Sequence, residues 1–368
     1  MTAVAADGPA PRAADGHAPA RPPAMSDVAA LAGVSHQTVS RVLNDHPSVR
    51  PATRARVVEA IATLGYRRNL AARALVTRRT GTIGVITPAT ALYGPTSTLV
   101  ACEQAARDAG AYVSVATLRT FSPDDVVTVV EHFLVQGVDG IVVVAPRTET
   151  LEALRSVHAP VPVVVVSSAP QPGGRAVAVD QHAGGRMATE HLLALGHETV
   201  VHVAGPPEWF DAGDRLRGWR AALEAADRRV PPPIATGWSA ADGFAVGGRL
   251  VAQGLPSAVF AANDQLALGL LRAFRVAGVR VPQDVAVVGF DDEPGTAFYD
   301  PPLTTVRQGF AELGRRAVRA VLDAGAAGPA PAAAPDPSAA TDGSFVPGLI
   351  APELVVREST VAGSGPGG

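Results

Sequence analysis

The chain has 368 residues, of which 47% are apolar, a formal net charge of −3 and one cysteine, so it can bury a large core but cannot form an internal disulfide. No apolar run approaches the roughly 18 residues of a membrane-spanning helix, and residues 1–24 lack the apolar segment of a secretory signal. Together with Cys102, expected as a small buried residue, these features predict a cytoplasmic protein with no membrane partner.

The charge is distributed unevenly along the chain. Residues 25–80 contain nine arginines and three acidic residues, whereas residues 81–368 carry a net charge of −9. A small basic segment joined to an acidic body favours contact with nucleic acid through the segment alone. A solvated charged surface is the alternative that charge by itself leaves open.

The first predicted elements follow a disordered tail at residues 1–24. We expect a helix over Ser26–Ala32 with Ser26 as its N-cap, and a turn at Gly33. A second helix should start after Ser35, with an apolar stripe formed by Val39, Val42 and Leu43. The two helices joined by a glycine turn have the pattern of a helix-turn-helix, here predicted within residues 25–68.

A third helix should begin at Pro51 and end before Gly65. Residues 69–80 are short, rich in alanine and basic, and we predict a hinge helix and linker there, because isolated helices of this length are marginal in water. Low-complexity sequence at 325–345 predicts a flexible insertion, and residues 359–368 a disordered tail.

Between the hinge and the tail, short β-branched runs alternate with amphipathic segments, which predicts an α/β body at residues 81–358 with doubly wound parallel sheets. Two lobes are expected, divided near residues 180 and 305. The predicted strands are Ile83–Thr87, Tyr112–Ala116, Gly140–Val144, Val161–Val166, Val177–Val179, Val200–Ala204, Ala258–Phe260 and Val285–Phe290, with a late strand in Ala351–Glu358. Helices are expected between most of them, including Leu99–Ala109, Asp124–Gln136, Gly184–Leu195 and Gln265–Ala277.

Residues 25–358 resemble the lactose/galactose repressor family of bacterial transcription regulators. The resemblance rests on DVAALAGVS, QTVSRVLN, TRARVVEAIATLGYRRN and AARAL in the first part, and on EHLLALGH, RLRGW, ANDQLALGLL, VAVVGFDD and PPLTTVRQ in the body. It implies a DNA-binding regulator, most often a repressor, that acts as a homodimer on palindromic operator DNA. A small molecule, expected to be a sugar, would control its operator affinity from the body, whose fold resembles periplasmic binding proteins.

The second helix carries the residue types that contact DNA. The amide of Gln37 can pair with adenine, the guanidinium of Arg41 with guanine, and His36 lies where family members vary the base-discriminating residue. Phosphate contacts are expected from the remaining polar positions, which are Ser35, Thr38, Ser40 and Asn44. For Arg50, Arg54 and Arg56, a phosphate contact and a solvent-facing position stay equally open.

The resemblance assigns two residues of the hinge to the minor groove. Leu75 would wedge between the central base pairs, and Ala72 would lie on the same face of the hinge helix. A leucine that only packs on a partner helix is the alternative.

Candidate effector residues follow predicted strands or match family motifs in the body. Arg215 could bind vicinal hydroxyls, Asn263 and Asp291 could bind further hydroxyls, and Trp238 could cover a pyranose face. The remaining expected contacts are Leu92, Gly94, Pro95, Ser167 and Phe310. Each of these assignments has an alternative. Arg215 and Asp291 could simply form an ion pair, and Trp238 could be a core residue. Asp264 could equally cap the following helix or contact the ligand.

Two departures from a sugar-responsive family member affect the first lobe. Ser167 stands in place of an aspartate and Val144 in place of an asparagine, so this lobe offers fewer partners to hydroxyl groups. The preferred sugar should change accordingly.

Other classes of protein fit the sequence less well. A regulator that senses a non-sugar molecule remains an alternative, whereas a sugar-transport binding protein would leave residues 25–68 unexplained. No phosphate-binding glycine loop, nucleophile elbow or metal-ligand cluster is present, and the nine histidines are scattered, so we expect neither an enzyme nor a cofactor or metal.

Overall fold

The computed structural model describes residue 21 and residues 23–67, 79–155, 159–169, 175–327 and 349–361. Contacts divide the chain into two compact units, Met1–Thr77 and Arg78–Gly368. We call the first unit the head and the second the body. Most of the predicted hinge and of the low-complexity segment lies outside the described residues.

The head contains three helices: α1 (Met25–Ala32), α2 (His36–Leu43) and α3 (Pro51–Leu64). Gly33 ends α1 in the left-handed conformation, with φ of 63°, a backbone geometry that glycine adopts without strain. The helices share a small core whose buried residues are Val28, Ala29, Ala32, Val39, Val42, Val57, Ala60 and Tyr66. The predicted α2 stripe and the ends of α3 are therefore confirmed.

The predicted start of α1 is wrong. Ser26 lies inside the helix and Ala24 is the N-cap, because Asp27 reaches back and accepts the Ala24 N–H at 2.7 Å. Asp27 also forms an ion pair with Arg21 at 3.2 Å, so the expected tail at residues 1–24 does not extend over these last positions. The pKa of Asp27 lies below its usual value, chiefly because of this backbone hydrogen bond and then the Arg21 partner.

The body contains two sheets, each covered by helices. We call each sheet together with its helices a lobe, the first and the second. The first sheet has the order β2-β1-β3-β4-β5 and is parallel throughout. Its strands are β1 (Thr82–Pro88), β2 (Tyr112–Leu118), β3 (Gly140–Val144), β4 (Val163–Val166) and β5 (Arg175–Val177). The helices of this lobe are α4 (Tyr93–Asp108), α5 (Pro123–Gln136), α6 (Thr148–Arg155) and the late helix α11 (Phe310–Ala327).

The second sheet has the order β11-β10-β9-β8-β6-β7, in which only β11 runs antiparallel to its neighbour. Its strands are β6 (Val201–Ala204), β7 (Ile234–Ala235), β8 (Ala258–Ala261), β9 (Ala286–Asp291), β10 (Thr304–Arg307) and β11 (Glu353–Val355). The helices of this lobe are α7 (Gln181–Ala194), α8 (Phe210–Ala225), α9 (Ala240–Gln253) and α10 (Asp264–Val276).

Both faces of each sheet are covered, which explains why the strands are apolar without alternation. In β3, for example, Val142 packs into one core cluster while Ile141 and Val143 pack into the cluster on the opposite face. Cys102 is fully buried in the first of these clusters, as expected, and burial raises its pKa to about 12.

The chain passes between the lobes three times. It leaves the first lobe between β5 and α7, and it returns between β10 and α11, whose Leu313, Ala317 and Val321 pack in the core of the first lobe. A third passage follows residue 349, where Ile350 bonds to Ala178 through its N–H and to the Asp180 N–H through its carbonyl, both at 2.9 Å. All three passages lie side by side.

Several predicted boundaries in the body are wrong. The strand expected at Val177–Val179 is Arg175–Val177, and helix α11 continues through Ala327, so residues 325–327 are not part of a flexible insertion. Ser359 and Thr360 are buried, and the Ser359 hydroxyl bonds to the Thr304 N–H and the Val287 carbonyl. These two residues therefore do not belong to the disordered tail expected at 359–368, of which residues 362–368 lie outside the described residues.

Candidate functional site

Helix α2 presents a polar surface on the side opposite its buried valines. His36, Gln37 and Arg41 are exposed on it, whereas Val39 and Val42 are buried in the head core. The helix contains no acidic residue, and the free N–H groups at a helix N-terminus attract phosphate groups. The surface therefore combines donors for phosphate with side chains long enough to reach base edges.

The smaller polar residues of α2 are partly engaged with one another. The Ser35 hydroxyl accepts the Thr38 N–H at 3.2 Å and lies 2.9 Å from the Thr38 hydroxyl, which confirms Ser35 as the N-cap. The Asn44 amide lies 3.5 Å from the Ser40 hydroxyl at the other end of the helix. These contacts orient the polar groups, and their expected role at DNA phosphates stays a prediction.

Arg54 has a structural partner, which bears on one of the alternatives left open above. Its guanidinium contacts the Asp45 carboxylate at 2.5 Å and donates to the His46 carbonyl at 3.1 Å. Arg54 thus stabilises the loop between α2 and α3. Ala72 and Leu75, the predicted hinge contacts, lie outside the described residues.

A cavity of about 720 Å³, including its open mouth, lies between the two lobes of the body. The structure brings all nine predicted effector residues to its walls, which are Leu92, Gly94, Pro95, Ser167, Arg215, Trp238, Asn263, Asp291 and Phe310. Their contact with an effector stays a prediction. Polar and apolar groups that converge on one cleft between two lobes are typical of a small-molecule site.

Further lining residues were not predicted from the sequence: Tyr93, Thr98, Pro146, Ser168, Gln181, Trp209, Asp211 and Gln308. Gln181 and Gln308 follow β5 and β10 by a few residues, so the rule that ligands bind beyond strand ends could have found them. Trp209 and Asp211 precede or begin α8 and carry no comparable sequence signal.

The second lobe contributes the polar wall of the cavity. Arg215 donates through Nε to Gln181 at 2.9 Å and through Nη1 to the Ala262 carbonyl at 2.5 Å, and its Nη2 lies 3.6 Å from an Asp291 oxygen. The guanidinium also lies 3.7 Å from the centre of the Phe290 ring. The ion-pair alternative for Arg215 and Asp291 is therefore observed, within a wider set of hydrogen bonds.

Asp291 is the carboxylate at the centre of this wall. Burial raises its pKa to about 7, although Arg215 and the Gln308 amide, which donates at 2.6 Å, favour the charged form. Its backbone φ is 116°, a conformation that side-chain-bearing residues rarely adopt. Strain of this kind persists only where the surroundings hold it, and it is concentrated at binding sites.

The capping alternative for Asp264 is wrong, because the residue before it caps the helix. Asn263 is the N-cap of α10, because its side-chain oxygen accepts the Leu266 N–H at 2.8 Å. Asp264 is fully buried and accepts hydrogen bonds from the Thr305 hydroxyl and the Glu293 N–H. Burial and the neighbouring Asp291 raise the pKa of Asp264 well above its usual value.

The first lobe contributes a wall that is mainly apolar. Its aliphatic and aromatic members include Leu92, Pro95, Val144, Val166, Val179, Phe310 and Leu313. The hydroxyls on this wall have protein partners: Thr98 donates to the Gly94 carbonyl at 2.8 Å, and Ser167 accepts the Ala169 N–H at 3.2 Å. The charged residues that line the cavity within the described chain belong to the second lobe.

Two tryptophans line the cavity. Trp209 and Trp238 make an edge-to-face contact with ring centres 5.6 Å apart and an angle of 79° between the planes. Trp238 is half-buried and packs partly on the core of the second lobe. It therefore contacts the core, as one alternative expected, and also lines the cavity. The Ser168 hydroxyl of the first lobe donates to Asp211 of the second lobe at 2.9 Å and so joins the two lobes.

No described helix is both long enough and apolar enough to span a membrane. Two family models match the chain. Residues 24–69 match the model of bacterial regulatory proteins of the lacI family, and residues 189–360 match a periplasmic binding protein-like domain.

Curated relatives cover most of the chain. The lactose operon repressor of Escherichia coli K12 is 36% identical over 307 residues, which span 82% of this chain and 84% of the relative. The regulator MalR of Streptomyces coelicolor is 35% identical over 357 residues, or 93% of this chain and 97% of the relative.

Solved structures of regulators of the same kind are also similar to this chain. The lac repressor dimer bound to operator and the anti-inducer ONPF has a TM-score of 0.74 and 33% identity, covering 93% of this chain and all of that one. The CelR–cellobiose complex has a TM-score of 0.65 and 31% identity, covering 92% of this chain and 99% of that one.

A helix-turn-helix head and a two-lobed body with a polar cavity define a DNA-binding transcriptional regulator under small-molecule control. The chain belongs to the lacI family of bacterial regulatory proteins.

Proposed function

We propose that this regulator is a repressor that binds palindromic operator DNA as a homodimer and that a sugar or glycoside in the body cavity changes its operator affinity. The observation that carries the proposal is the cavity itself, in which the nine residues expected to contact an effector surround one space. The proposal keeps residues 25–68 as the DNA-binding domain and residues 69–80 as the hinge.

The chemistry of α2 supports operator recognition. Gln37 and Arg41 are exposed and have the donor and acceptor patterns that pair with adenine and guanine in the major groove. One head contacts half of a palindrome, so two copies are needed for a full site. One relative, the lac repressor, has been solved as a dimer bound to operator.

The walls of the cavity support a glycoside as the effector. Arg215, Asp291 and Asn263 offer donors and acceptors to sugar hydroxyls, and the Trp238 ring can cover an apolar sugar face. The apolar wall around Val144 and Phe310 suits a substituent without hydroxyls. A non-sugar effector with one polar and one apolar end is the second candidate that this division of the walls allows.

The same proposal assigns no catalytic activity and places the protein in the cytoplasm, on the nucleoid. A transport binding protein would have no use for the exposed polar helix α2, so this alternative is set aside. For the hinge, we propose that Leu75 wedges into the central base step and that Ala72 lies beside it in the minor groove.

Fluorescence anisotropy with DNA from upstream of the coding region tests the proposal at fixed salt. We expect tight binding that is lost in Arg41→Ala and a shift in affinity on addition of one member of a panel containing galactose, lactose, cellobiose, maltose and phenyl β-D-galactoside. The body variant Arg215→Met should bind DNA without responding to the sugar.

Three outcomes separate the parts of the proposal. Binding without a response to the panel would contradict the glycoside effector and favour a non-sugar ligand. Binding no tighter than to unrelated DNA would contradict operator recognition. A bend that is unchanged in Leu75→Ala would contradict the wedge at the hinge.

A further inference from the structure

Three hydrogen bonds and one ion pair connect four buried side chains into a closed ring on the wall of the cavity. Arg215 Nε donates to Gln181 at 2.9 Å, Gln181 Nε2 donates to Gln308 at 2.7 Å, and Gln308 Nε2 donates to Asp291 at 2.6 Å. The Asp291 carboxylate closes the ring at 3.6 Å from Arg215 Nη2. All four residues are at most 6% exposed, so water does not replace these bonds readily. We call this set the ring.

The two glutamines stand on the passages between the lobes. Gln181 is the first residue of α7, directly after the first passage, and its neighbour Asp180 bonds through its N–H to Ile350 on the third passage. Gln308 lies between β10 and α11, on the second passage, where its carbonyl accepts the Phe310 N–H at 2.9 Å. Any rearrangement of the two amides therefore acts on the segments that connect the lobes and fix their relative orientation.

Close packing of two helices makes the contact between Arg215 and Gln181 possible. A Cβ atom at Gly185 would lie 2.3 Å from the Arg215 carbonyl, and one at Gly218 would lie 2.0 Å from the His182 carbonyl. Because these positions are glycines, α7 and α8 approach until their backbones touch. The ring is thus fixed by backbone as well as by side chains.

The other half of the ring faces the effector. Arg215 and Asp291 line the cavity, and the proposed function has them bind effector hydroxyls. An effector that bonds to Arg215 competes for the donor that Gln181 uses, and one that bonds to Asp291 competes for the acceptor that Gln308 uses. A buried amide cannot leave its hydrogen bonds unmade, so each glutamine must find a new arrangement.

We propose that Gln181 and Gln308 are positioning residues that transmit occupancy of Arg215 and Asp291 to the passages between the lobes. The part of this inference that concerns an effector rests on the proposed function. The transmission itself is a property of the chain and can be measured without any ligand.

Hydrogen–deuterium exchange of the full-length protein tests transmission. Arg215→Lys keeps the charge but removes the Nε donor. We expect exchange to become roughly 5-fold faster or more at residues 178–183 and also at 307–311, across the ring, with β1 (Thr82–Pro88) in the first lobe unchanged. In the presence of Gln308→Met, Arg215→Lys should cause no further change at 307–311.

A matched control is Gln265→Met, because Gln265 donates to Glu293 at 2.6 Å and stands outside the ring. It should leave exchange at both passages as in the wild type. A merely structural hydrogen bond would loosen only the residues beside the substitution. Unchanged exchange at 307–311 in Arg215→Lys would overturn the proposal.

The response to a ligand provides the second measurement, with phenyl β-D-galactoside as the probe. Trp209 and Trp238 line the cavity, so tryptophan fluorescence reports probe binding independently of DNA. In Gln308→Met, at probe concentrations that the tryptophan titration shows to saturate the variant, we expect an operator shift below about 2-fold. A full operator shift in this variant would contradict the proposal. If the wild type does not respond to the probe, the proposed glycoside effector is contradicted, and the exchange experiment alone decides on the ring.

Discussion

The two walls of the body cavity are built on opposite principles. The wall of the second lobe holds Arg215 and Asp291 in a network of hydrogen bonds to Gln181, the Ala262 carbonyl and Gln308. The wall of the first lobe presents aliphatic and aromatic groups such as Val144 and Phe310, and its hydroxyls are committed to neighbouring protein atoms. From this difference we expect the second lobe to orient a ligand and to respond to it, and the first lobe to select by shape and apolar contact.

The largest effect should come from breaking the polar wall. Arg215→Met leaves Asp291 buried without its charged partner, and we expect the free energy of unfolding at pH 8 to fall by about 3–5 kcal/mol and effector affinity to fall roughly 100-fold. Chemical denaturation and fluorescence titration measure the two quantities. The control is Arg215→Met combined with Asp291→Asn, which should regain much of the stability but none of the affinity. Equal stability of wild type and Arg215→Met would show that the pair is not essential to the wall.

A polar group placed on the apolar wall should sharpen the comparison. Val144 is 5% exposed at the end of β3. In Val144→Asn we expect the preference for an alkyl or aryl glycoside over the free sugar to fall on the order of 30-fold, because the new amide is satisfied only by a ligand hydroxyl. Titrations with galactose and phenyl β-D-galactoside measure this ratio. Val144→Ala, which adds space without an amide, should not produce it.

The pH dependence of effector binding should depend on the polar wall alone. The pKa of Asp291 is raised to about 7 by burial, and the nearby Glu293 and Asp211 charges oppose ionisation further, whereas Arg215 and Gln308 favour it. Sugar hydroxyls donate to the ionised carboxylate, so affinity should rise about 10-fold between pH 6 and pH 8. Binding isotherms across this range test the sign. Asp291→Asn should bind weakly with a flat profile, and a flat profile in the wild type would contradict the prediction.

The same shift also predicts the sign of a stability effect. Because the pKa of Asp291 is higher in the folded protein than its ordinary value of 3.8, the folded state binds this proton more tightly. Its contribution to the free energy of unfolding is therefore greatest at low pH and is lost as the pH rises towards 7.

The smallest effect is expected at Ser167. Its hydroxyl accepts only a local N–H, from Ala169, on the mainly apolar wall. Ser167→Ala should therefore change effector affinity by less than about 2-fold, as measured by the same titration. A loss of tenfold or more would show that the first lobe also binds hydroxyls, and the division between the walls would fail.

Local sequence signals were sufficient for most of the fold. The glycine turn at Gly33, the cap at Ser35 and the continuous apolar strands such as Gly140–Val144 depend on residues close in the chain, and the structure confirms them. The predicted start of α1 at Ser26 was wrong because the Asp27 carboxylate reaches back to the Ala24 N–H, and the helix therefore begins one residue earlier, at Met25. Strand β7 has only two residues, Ile234–Ala235, and is too short to give a periodic pattern.

The sequence by itself determined the class of protein, the two-lobed α/β body and the nine effector candidates, since these depend on hydrophobic pattern, strand ends and family motifs. Only the tertiary structure decided the partners of those residues. Gln181 and Gln308 lie 127 positions apart, and nothing local to either one predicts their 2.7 Å hydrogen bond. The bond exists because the chain passes repeatedly between the lobes and brings the start of α7 beside the residue that follows β10, and such long-range closure is a property of the folded chain alone.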